Sequence, residues 1–330
     1  MSLPAIRVDS VRKVFDDGAH NAFTDLCVFR GEMYLTFRSS PTGHGVVADS
    51  SIIVLASRDG AAWRKVHSFS VPMRDVRDPH LLVFKDALYV YTGTWLCNPW
   101  ELKRQDVSQH LGWAARTADG TTWEPPRSLE GTYGHYIWRA AAHGGKAYLC
   151  GRRIRDFVPT DGPDPVPRES VMLESDDGFV WKWSALFHGI DGDETAFLFE
   201  PDGAVVAVVR RRKEAALCRA RPPYREWTRS SLGRYIGGPM IAKWGERTLI
   251  GGRKFLAPDQ ADRSARTVLS WLDGDRLVDV VELPSGGDTS YPGFIALSPT
   301  RGLLSYYSSH EGSRGKVPPC SIYLAELSVA

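Results

Sequence analysis

The sequence predicts an all-β fold, a six-bladed β-propeller closed into a ring by its first and last strands. Three observations predict it. A pattern of polar residue, apolar run, turn and second apolar run recurs six times. A short Asp-Gly turn motif recurs three times in step with it. No segment carries sustained helical periodicity. A strand-only unit repeating about every fifty residues is how a propeller blade reads in sequence. The ring is expected to occupy residues 1–330 as a single domain.

The six units start at Asn21, Asp78, Arg139, Glu194, Pro239 and Tyr291. Their paired runs, such as Asp78-PHLLVFKDALYVYTG and Glu194-TAFLFEPDGAVVAVV, are rich in Val, Leu, Ile, Phe and Tyr. The turns between them are Arg30-Gly31-Glu32, Lys85-Asp86, Gly144-Gly145-Lys146, Pro201-Asp202-Gly203 and Gly245-Glu246. These residues reverse a chain tightly, so each unit opens with the first two strands of a blade. The motif S/T-x-D-G-x-x-W appears at Ser57–Trp63, Thr117–Trp123 and Ser175–Trp181. Its Asp and hydroxyl accept bonds from turn amides, its Gly supplies a positive φ, and its Trp packs between sheets. Tyr224 to Trp227 reads as a decayed copy without the Asp-Gly. The N-terminal run Ile6-RVDSVRKVF and the final run Ser321-IYLAEL are strands without a nearby partner. One should complete the blade begun by the other, hiding edges that an open sheet would expose. The polar stretches 38–49, 95–110 and 152–168 are expected to be loops, the last holding Pro159, Pro163, Pro165 and Pro167.

Composition narrows the function. Hydrophobic residues make up 43% and charged residues 24%, as in ordinary globular proteins. A net charge of +2 gives no broad basic field, so nucleic acid is not an expected partner. No run is long enough for a membrane helix. The N-terminus MSLPAIRV carries no basic and apolar leader pattern, which predicts a cytoplasmic chain as written, with a removed leader left open. The five cysteines, Cys27, Cys97, Cys150, Cys218 and Cys320, form no C-x-x-C pair and are expected to be reduced thiols. The histidines show neither H-x-x-x-H nor H-E-x-x-H spacing, so no metal and no cofactor is expected.

The second run of four units ends in arginine: Arg38, Arg152-Arg153, Arg210-Arg211-Arg212 and Arg253. Topology brings these ends to the face where the inner strands begin. They should surround one funnel mouth with Asn21, Asp78, Arg139, Glu194 and Tyr291. Guanidinium forks converging on one cleft suit an anion, above all a carboxylate. Glu194 and Tyr291 would both face the channel. A tyrosine is a poor nucleophile at its ordinary pKa of about 10. A carboxylate beside it can take its proton. A neutral oxygen of this kind suits attack on an anomeric carbon that carries its own carboxylate. His44 and His135 are placed to line the cleft, and Asp78 is a candidate acid.

The Asp-Gly turn motifs, the six units and Glu194-TAFLFEPDGAVVAVVRR resemble the sialidase superfamily. The segments His20-NAFTDL, Arg77-DP, Gly286-GDTSYPG and Ser305-YYSSHEG are similar to bacterial BNR-repeat proteins of the exo-α-sialidase type. The resemblance spans nearly the whole chain. It implies Tyr291 as nucleophile, Glu194 as its base and an Asp as acid/base; the loop after Arg38 offers His44 and Asp49 for that part, and the second blade offers Asp78. It further implies Arg210 or Arg211, and Arg253, as binders of a substrate carboxylate. Arg38, Arg139, Asn21, His44, His135 and Asp288 complete the expected binding set. The sequence departs from the family where the first inner strand opens, which reads Asn21-Ala22-Phe23 in place of Arg-Ile-Pro. The expected partner is an acidic glycan or small glycoside. Two alternatives remain. One is a hydrolase of another glycoside using Asp78 and Glu194 as a carboxylate pair, and the other is a glycan-binding propeller without catalysis.

Overall fold

A computed structural model describes residues 3–97, 109–157, 167–257, 264–312 and 319–329. Among these residues lie twenty-four strands in six four-stranded antiparallel sheets. Strand β1 (Ile6–Phe15) comes first and pairs last. The first blade is β2 (His20–Phe29), β3 (Glu32–Ser40), β4 (Ser51–Ser57) and β5 (Arg64–Phe69). The second is β6 (Arg74–Phe84), β7 (Ala87–Leu96), β8 (Leu111–Thr117) and β9 (Trp123–Ser128). The third is β10 (His135–His143), β11 (Lys146–Ile154), β12 (Arg168–Ser175) and β13 (Lys182–His188). The fourth is β14 (Thr195–Phe199), β15 (Val205–Val209), β16 (Ala216–Ala220) and β17 (Trp227–Ser231). The fifth is β18 (Gly237–Trp244), β19 (Arg247–Phe255), β20 (Ala265–Asp273) and β21 (Arg276–Glu282). The sixth is β22 (Thr289–Ser298), β23 (Arg301–Ser308), β24 (Ser321–Val329) and, outermost, β1.

The innermost strands touch one another all round: β2 with β6, β6 with β10, β10 with β14, β14 with β18, β18 with β22, and β22 with β2. The ring is thus a six-bladed propeller. Ile6 pairs with Val329 and Phe15 with Ile322, so the N-terminal strand completes the blade built by the C-terminal one, as its lone reading predicted. The cores lie between sheets. Tyr34, Val54 and Ala56 of the first blade pack with Leu81, Leu88 and Val90 of the second. Helix among the described residues includes a 3-10 turn at Arg155–Phe157. The arginines at 152 and 153 belong to β11, not to the loop expected there. The middles of the loops after Trp95 and Ile154 lie outside the described residues, as do Pro159, Pro163 and Pro165.

The Asp-Gly motif turns the third strand of a blade into the fourth. In the second blade Asp119 accepts bonds from the amides of Thr121 and Thr122, and Thr117 accepts one from Gly120. The same bonds recur about Asp59 and Asp177. In the fourth blade Tyr224, at φ 63°, takes the place of the motif's glycine. Trp227 Nε1 donates to Tyr224 O just as Trp63 Nε1 donates to Gly60 O. The decayed copy keeps the turn without the carboxylate.

Consecutive blades are clasped by a repeated ion pair. An arginine near the end of the second strand reaches forward to an Asp at the opening of the next blade's inner strand. Arg38 Nε lies 2.9 Å from Asp75, Arg152 Nη1 2.7 Å from Asp193, and Arg253 Nη2 3.0 Å from Asp288. The Arg38–Asp75 pair is wholly buried and Asp75 also receives Arg77. Removing one partner of such a pair leaves a charge without compensation, which costs about 3–5 kcal/mol. Asp75→Ala, which strands two guanidinium groups, is expected to lose that much stability in urea unfolding at unchanged slope. Asp75→Asn, which keeps an acceptor oxygen, should lose clearly less. Equal, small losses in both would remove the clasp as a source of stability.

Candidate active site

At one mouth of the ring lies a cavity of about 320 Å³, lined by Phe23, His44, Gly45, Val46, Arg77, Asp78, Trp95, Tyr136, Arg152, Glu194, Arg210, Arg253 and Tyr291. Its size suits a single small ligand. All six blades contribute residues to it, in or beside their inner and second strands. The inner strands bulge at this level. Register shifts fall between Ala22 and Asp25, Arg77 and His80, Ile137 and Ala140, Gly237 and Met240, and Ser290 and Gly293. A bulge re-aims a side chain out of the ladder. Phe23, Asp78 and Tyr291 accordingly stand at φ 63°, 47° and 52° and point into the cavity. Non-glycine residues pay for such a backbone, and sites are where proteins keep that strain. Pro79, Pro239 and Pro292 follow three of the bulge residues and exclude the right-handed helical conformation there.

Tyr291 and Glu194 form the centre. The Tyr291 hydroxyl donates to Glu194 Oε1 at 2.6 Å. Arg210 Nη1 donates to Glu194 Oε2 at 2.7 Å and to the Tyr291 oxygen at 3.2 Å. The Gly238 amide donates to Glu194 Oε2 at 3.1 Å. Gly238 is itself at φ 55°, and a Cβ there would stand 2.4 Å from the Tyr291 ring. Only glycine lets the fifth blade approach closely enough to seat both residues. Burial, and then the Glu194 charge, push the Tyr291 hydroxyl well above its ordinary pKa. The resting residue is a neutral phenol bonded to a carboxylate.

Asp78 occupies the opposite wall. Its Oδ2 accepts the Tyr136 hydroxyl, while its buried Oδ1 has no protein partner among the described residues. Burial, and then the charge of Glu194, raise its carboxyl to about 6. Arg152 lies over the Tyr136 ring, its Cζ 4.7 Å from the centroid, and beside Trp95 at 5.9 Å.

Asp288 stands behind the cavity and organises one side of it. Its Oδ1 accepts Arg253 Nη2 at 3.0 Å and the Tyr307 hydroxyl at 2.8 Å. Its Oδ2 bonds His20 Nε2 at 2.9 Å and His44 Nδ1 at 2.6 Å. Burial alone would raise its pKa, but these partners hold it well below the usual carboxylate range.

The structure therefore gathers Tyr291, Glu194, Asp78, Arg210, Arg253 and His44 of the expected set around one cavity, with Asp288 behind them. The others lie elsewhere. Arg38 is turned down to Asp75 and to the carbonyls of Gly43 and Gly45. Arg139 is buried beneath the site on Asp25 and Pro292 O. Asn21 bonds Asp17 and Ala19 O. His135 Nδ1 faces Tyr133 O, and Arg211 is not on the wall. Arg77, Tyr136 and Phe23 were not expected there, whereas Arg152 was. Arg152 sat in the phased arginine series, and the X-Pro step beside Arg77 marked its bulge. Tyr136 gave no comparable signal.

No family model and no curated protein matches the sequence. Solved structures do. A Dyadobacter fermentans protein of unknown function matches with TM-score 0.80 and 20% identity, covering 99% of this chain and 100% of that one. Trypanosoma rangeli sialidase in complex with the inhibitor DANA matches with TM-score 0.69 and 15% identity over 97% of this chain, which spans 58% of that one. The endosialidase of phage phi92 matches with TM-score 0.71 and 10% identity, covering 97% of this chain and 69% of that one. At these identities the likeness is one of fold, and the fold is a sialidase-like propeller.

The raised carboxyl of Asp78 carries a prediction for stability. An unfolded Asp ionises near 3.9, so below that pH both states hold the proton and nothing is lost. As pH rises to about 6 the unfolded state ionises while the native state still holds its proton. Stability falls across this window by about 3 kcal/mol. Wild type should lose that stability relative to Asp78→Asn between pH 4 and 7 in urea unfolding. Parallel curves would show that Asp78 does not titrate high.

Proposed function

We propose that the protein is a glycoside hydrolase acting on an acidic sugar, retaining configuration through an adduct on Tyr291. One observation carries the reading: the Tyr291 hydroxyl is bonded to Glu194 Oε1 while Arg210 touches both. As Tyr291 Oη attacks the anomeric carbon, its proton passes to Glu194 and the bond to the leaving oxygen breaks. Arg210 stabilises the negative charge that develops on the phenol oxygen as its proton leaves. Asp78, with its carboxyl at about 6, donates the proton to the leaving group and later draws one from the water that releases the sugar. A tyrosine nucleophile is a known exception to the two-carboxylate scheme.

The anion seat is assigned to Arg210 and Arg253. Arg253 spends Nε on Thr289 O and Nη2 on Asp288 and Tyr307, which leaves Nη1 for a ligand. Arg210 spends Nη1 alone. Phe23, in the segment that stands in place of the family's Arg-Ile-Pro, lies beside Tyr291 with ring centroids 4.9 Å apart. The seat therefore holds two guanidinium groups and an aromatic wall. A Trypanosoma rangeli sialidase with the same fold has been solved with sialic acid, and with 2,3-difluorosialic acid as a covalent intermediate. That supports sialic acid as the first substrate to try.

The test is hydrolysis of chromogenic α-sialosides, α- and β-uronides and neutral glycosides by wild type, Tyr291→Phe and Glu194→Gln. Turnover of an acidic glycoside is expected, with kcat about 10²–10⁴-fold lower in each variant. Turnover that survives Tyr291→Phe and fails in Asp78→Asn and Glu194→Gln would replace the tyrosine by a carboxylate pair. No turnover, with an acidic sugar still raising Tm, would leave a binding propeller.

A further inference from the structure

Behind the anion seat three side chains of different chemistry converge. His20 opens β2, Asp288 precedes β22 and Cys320 precedes β24. A ring nitrogen of His20, a carboxylate oxygen of Asp288 and Cys320 Sγ all lie within 4.8 Å of one another. Backbone bonds hold two of them side by side: the Asn21 amide donates to Cys320 O at 3.1 Å, and the Cys320 amide to Ala19 O at 3.2 Å. Both His20 and Cys320 are buried, at 3% and 0% exposed. Local spacing hides the group, because Asp288 stands 268 residues after His20 and 32 before Cys320.

The bonds these donors already make leave them able to take an ion. Asp288 divides its oxygens: Oδ1 accepts Arg253 and Tyr307, whereas Oδ2 faces the imidazoles of His20 and His44. His20 Nδ1 has no partner among the described residues, so no second bond fixes its tautomer. The Cys320 thiol lies 3.9 Å from Asp288 O, a long and weak contact. Imidazole, thiolate and carboxylate together are a donor set for zinc, since magnesium and calcium prefer oxygen alone. Donors bound to one tetrahedral ion stand about 3.3–3.7 Å apart, so shifts of about 1 Å close the group. The cations nearby are Arg253, on Oδ1, and Arg77, 3.3 Å from His44 Nε2, while Arg38 is committed to Asp75. Without an ion the three side chains carry one negative charge, on Asp288. With zinc bound and the thiol proton released to solvent they carry none, and Arg253 loses its counter-charge.

We propose that His20, Asp288 and Cys320 form a zinc site, and that zinc bound there loosens the anion seat. His44, half exposed with Nδ1 2.6 Å from the same Asp288 oxygen, is the nearest side chain for the fourth position. The ion draws Oδ2 away from the two histidines and competes with Arg253 for the carboxylate. Zinc is therefore an inhibitor of the cavity's chemistry and not its cofactor. The inhibition rests on the hydrolase reading, whereas the site itself does not.

The experiment titrates the full, reduced chain with Zn²⁺ by calorimetry and with Co²⁺ by absorption. One zinc per chain is expected, with Kd of about 1 μM or tighter. Cobalt should show the near-ultraviolet charge-transfer band of a thiolate ligand. Cys320→Ser should abolish that band and weaken zinc at least about tenfold, and His20→Gln should weaken zinc by a similar factor while keeping the band. X-ray absorption of the zinc-loaded wild type needs no variant, and should read one sulfur at about 2.3 Å with nitrogen and oxygen at about 2.0–2.2 Å. No zinc bound at micromolar concentration, a shell without sulfur, or zinc affinity unchanged in both variants would overturn the site. Turnover of an acidic glycoside should fall as zinc saturates the chain and should not respond to magnesium. Turnover untouched by saturating zinc would overturn the inhibition. The metal readouts need no substrate, so the site and the hydrolase reading fail separately.

Discussion

The forward clasp of arginine on the next blade's Asp is the interaction on which the rest of the structure depends. It fixes the angle between blades at the level where the inner strands bulge. It also pins the guanidinium groups whose unspent N–H bonds face the cavity. Arg152 and Arg253 are each held by one carboxylate, on Asp193 and Asp288, and each keeps a donor for a ligand. A guanidinium with five donors in a rigid fork can do both at once in fixed directions. Arg38 shows the limit of the device. Asp75 and the carbonyls of Gly43 and Gly45 take its whole fork, and it has become structural.

This double use explains what was legible in the sequence and what was not. The ring, its six blades, the Asp-Gly turns and the closure of β24 by β1 follow from patterns that are local or periodic, and the strands appear where those patterns place them. The arginine phase was also visible. Its meaning was hidden because each partner lies one blade away: Asp75, Asp193 and Asp288 stand 37, 41 and 35 residues after their arginines. A search for an acid at that offset would have found the clasps and demoted Arg38. Arg139 was misplaced for a different reason. Its unit begins one residue after the bulge residue Trp138, so its side chain falls on the buried face and meets Asp25. A slip of one residue on a strand reverses the face. Tyr136 left no trace because an aromatic on a propeller strand is as often packing as wall.

The bulges tie backbone to chemistry. Four inner strands carry a positive φ at the same level, at Phe23, Asp78, Gly238 and Tyr291. Each turns one residue out of the pleat and toward the axis. The residue chosen at that point then decides what the site can do. In the second blade it is an acid, in the sixth a phenol, in the fifth a glycine that makes room for the phenol, and in the first a phenylalanine. The scaffold repeats and the chemistry does not, so repeat-level reasoning found the location more readily than the roles.

Hydrogen bonding singles out Asp78 among the acids. Arg77 and Arg38 share Asp75, Arg152 is bonded to Asp193, Arg210 to Glu194 and Arg253 to Asp288. Asp78 has a phenol for a partner and an oxygen that finds no donor among the described residues. Burial, and then the Glu194 charge, favour its protonated form, and the carboxyl rises to about 6. An acidic sugar entering the cavity adds another negative charge beside it and strengthens the hold on the proton. The ligand that needs a general acid would thus help to load one. A neutral sugar would leave Asp78 as it stands in the free protein. On the proposed reading, this acid and the anion seat are two parts of one electrostatic arrangement that an anionic substrate would complete.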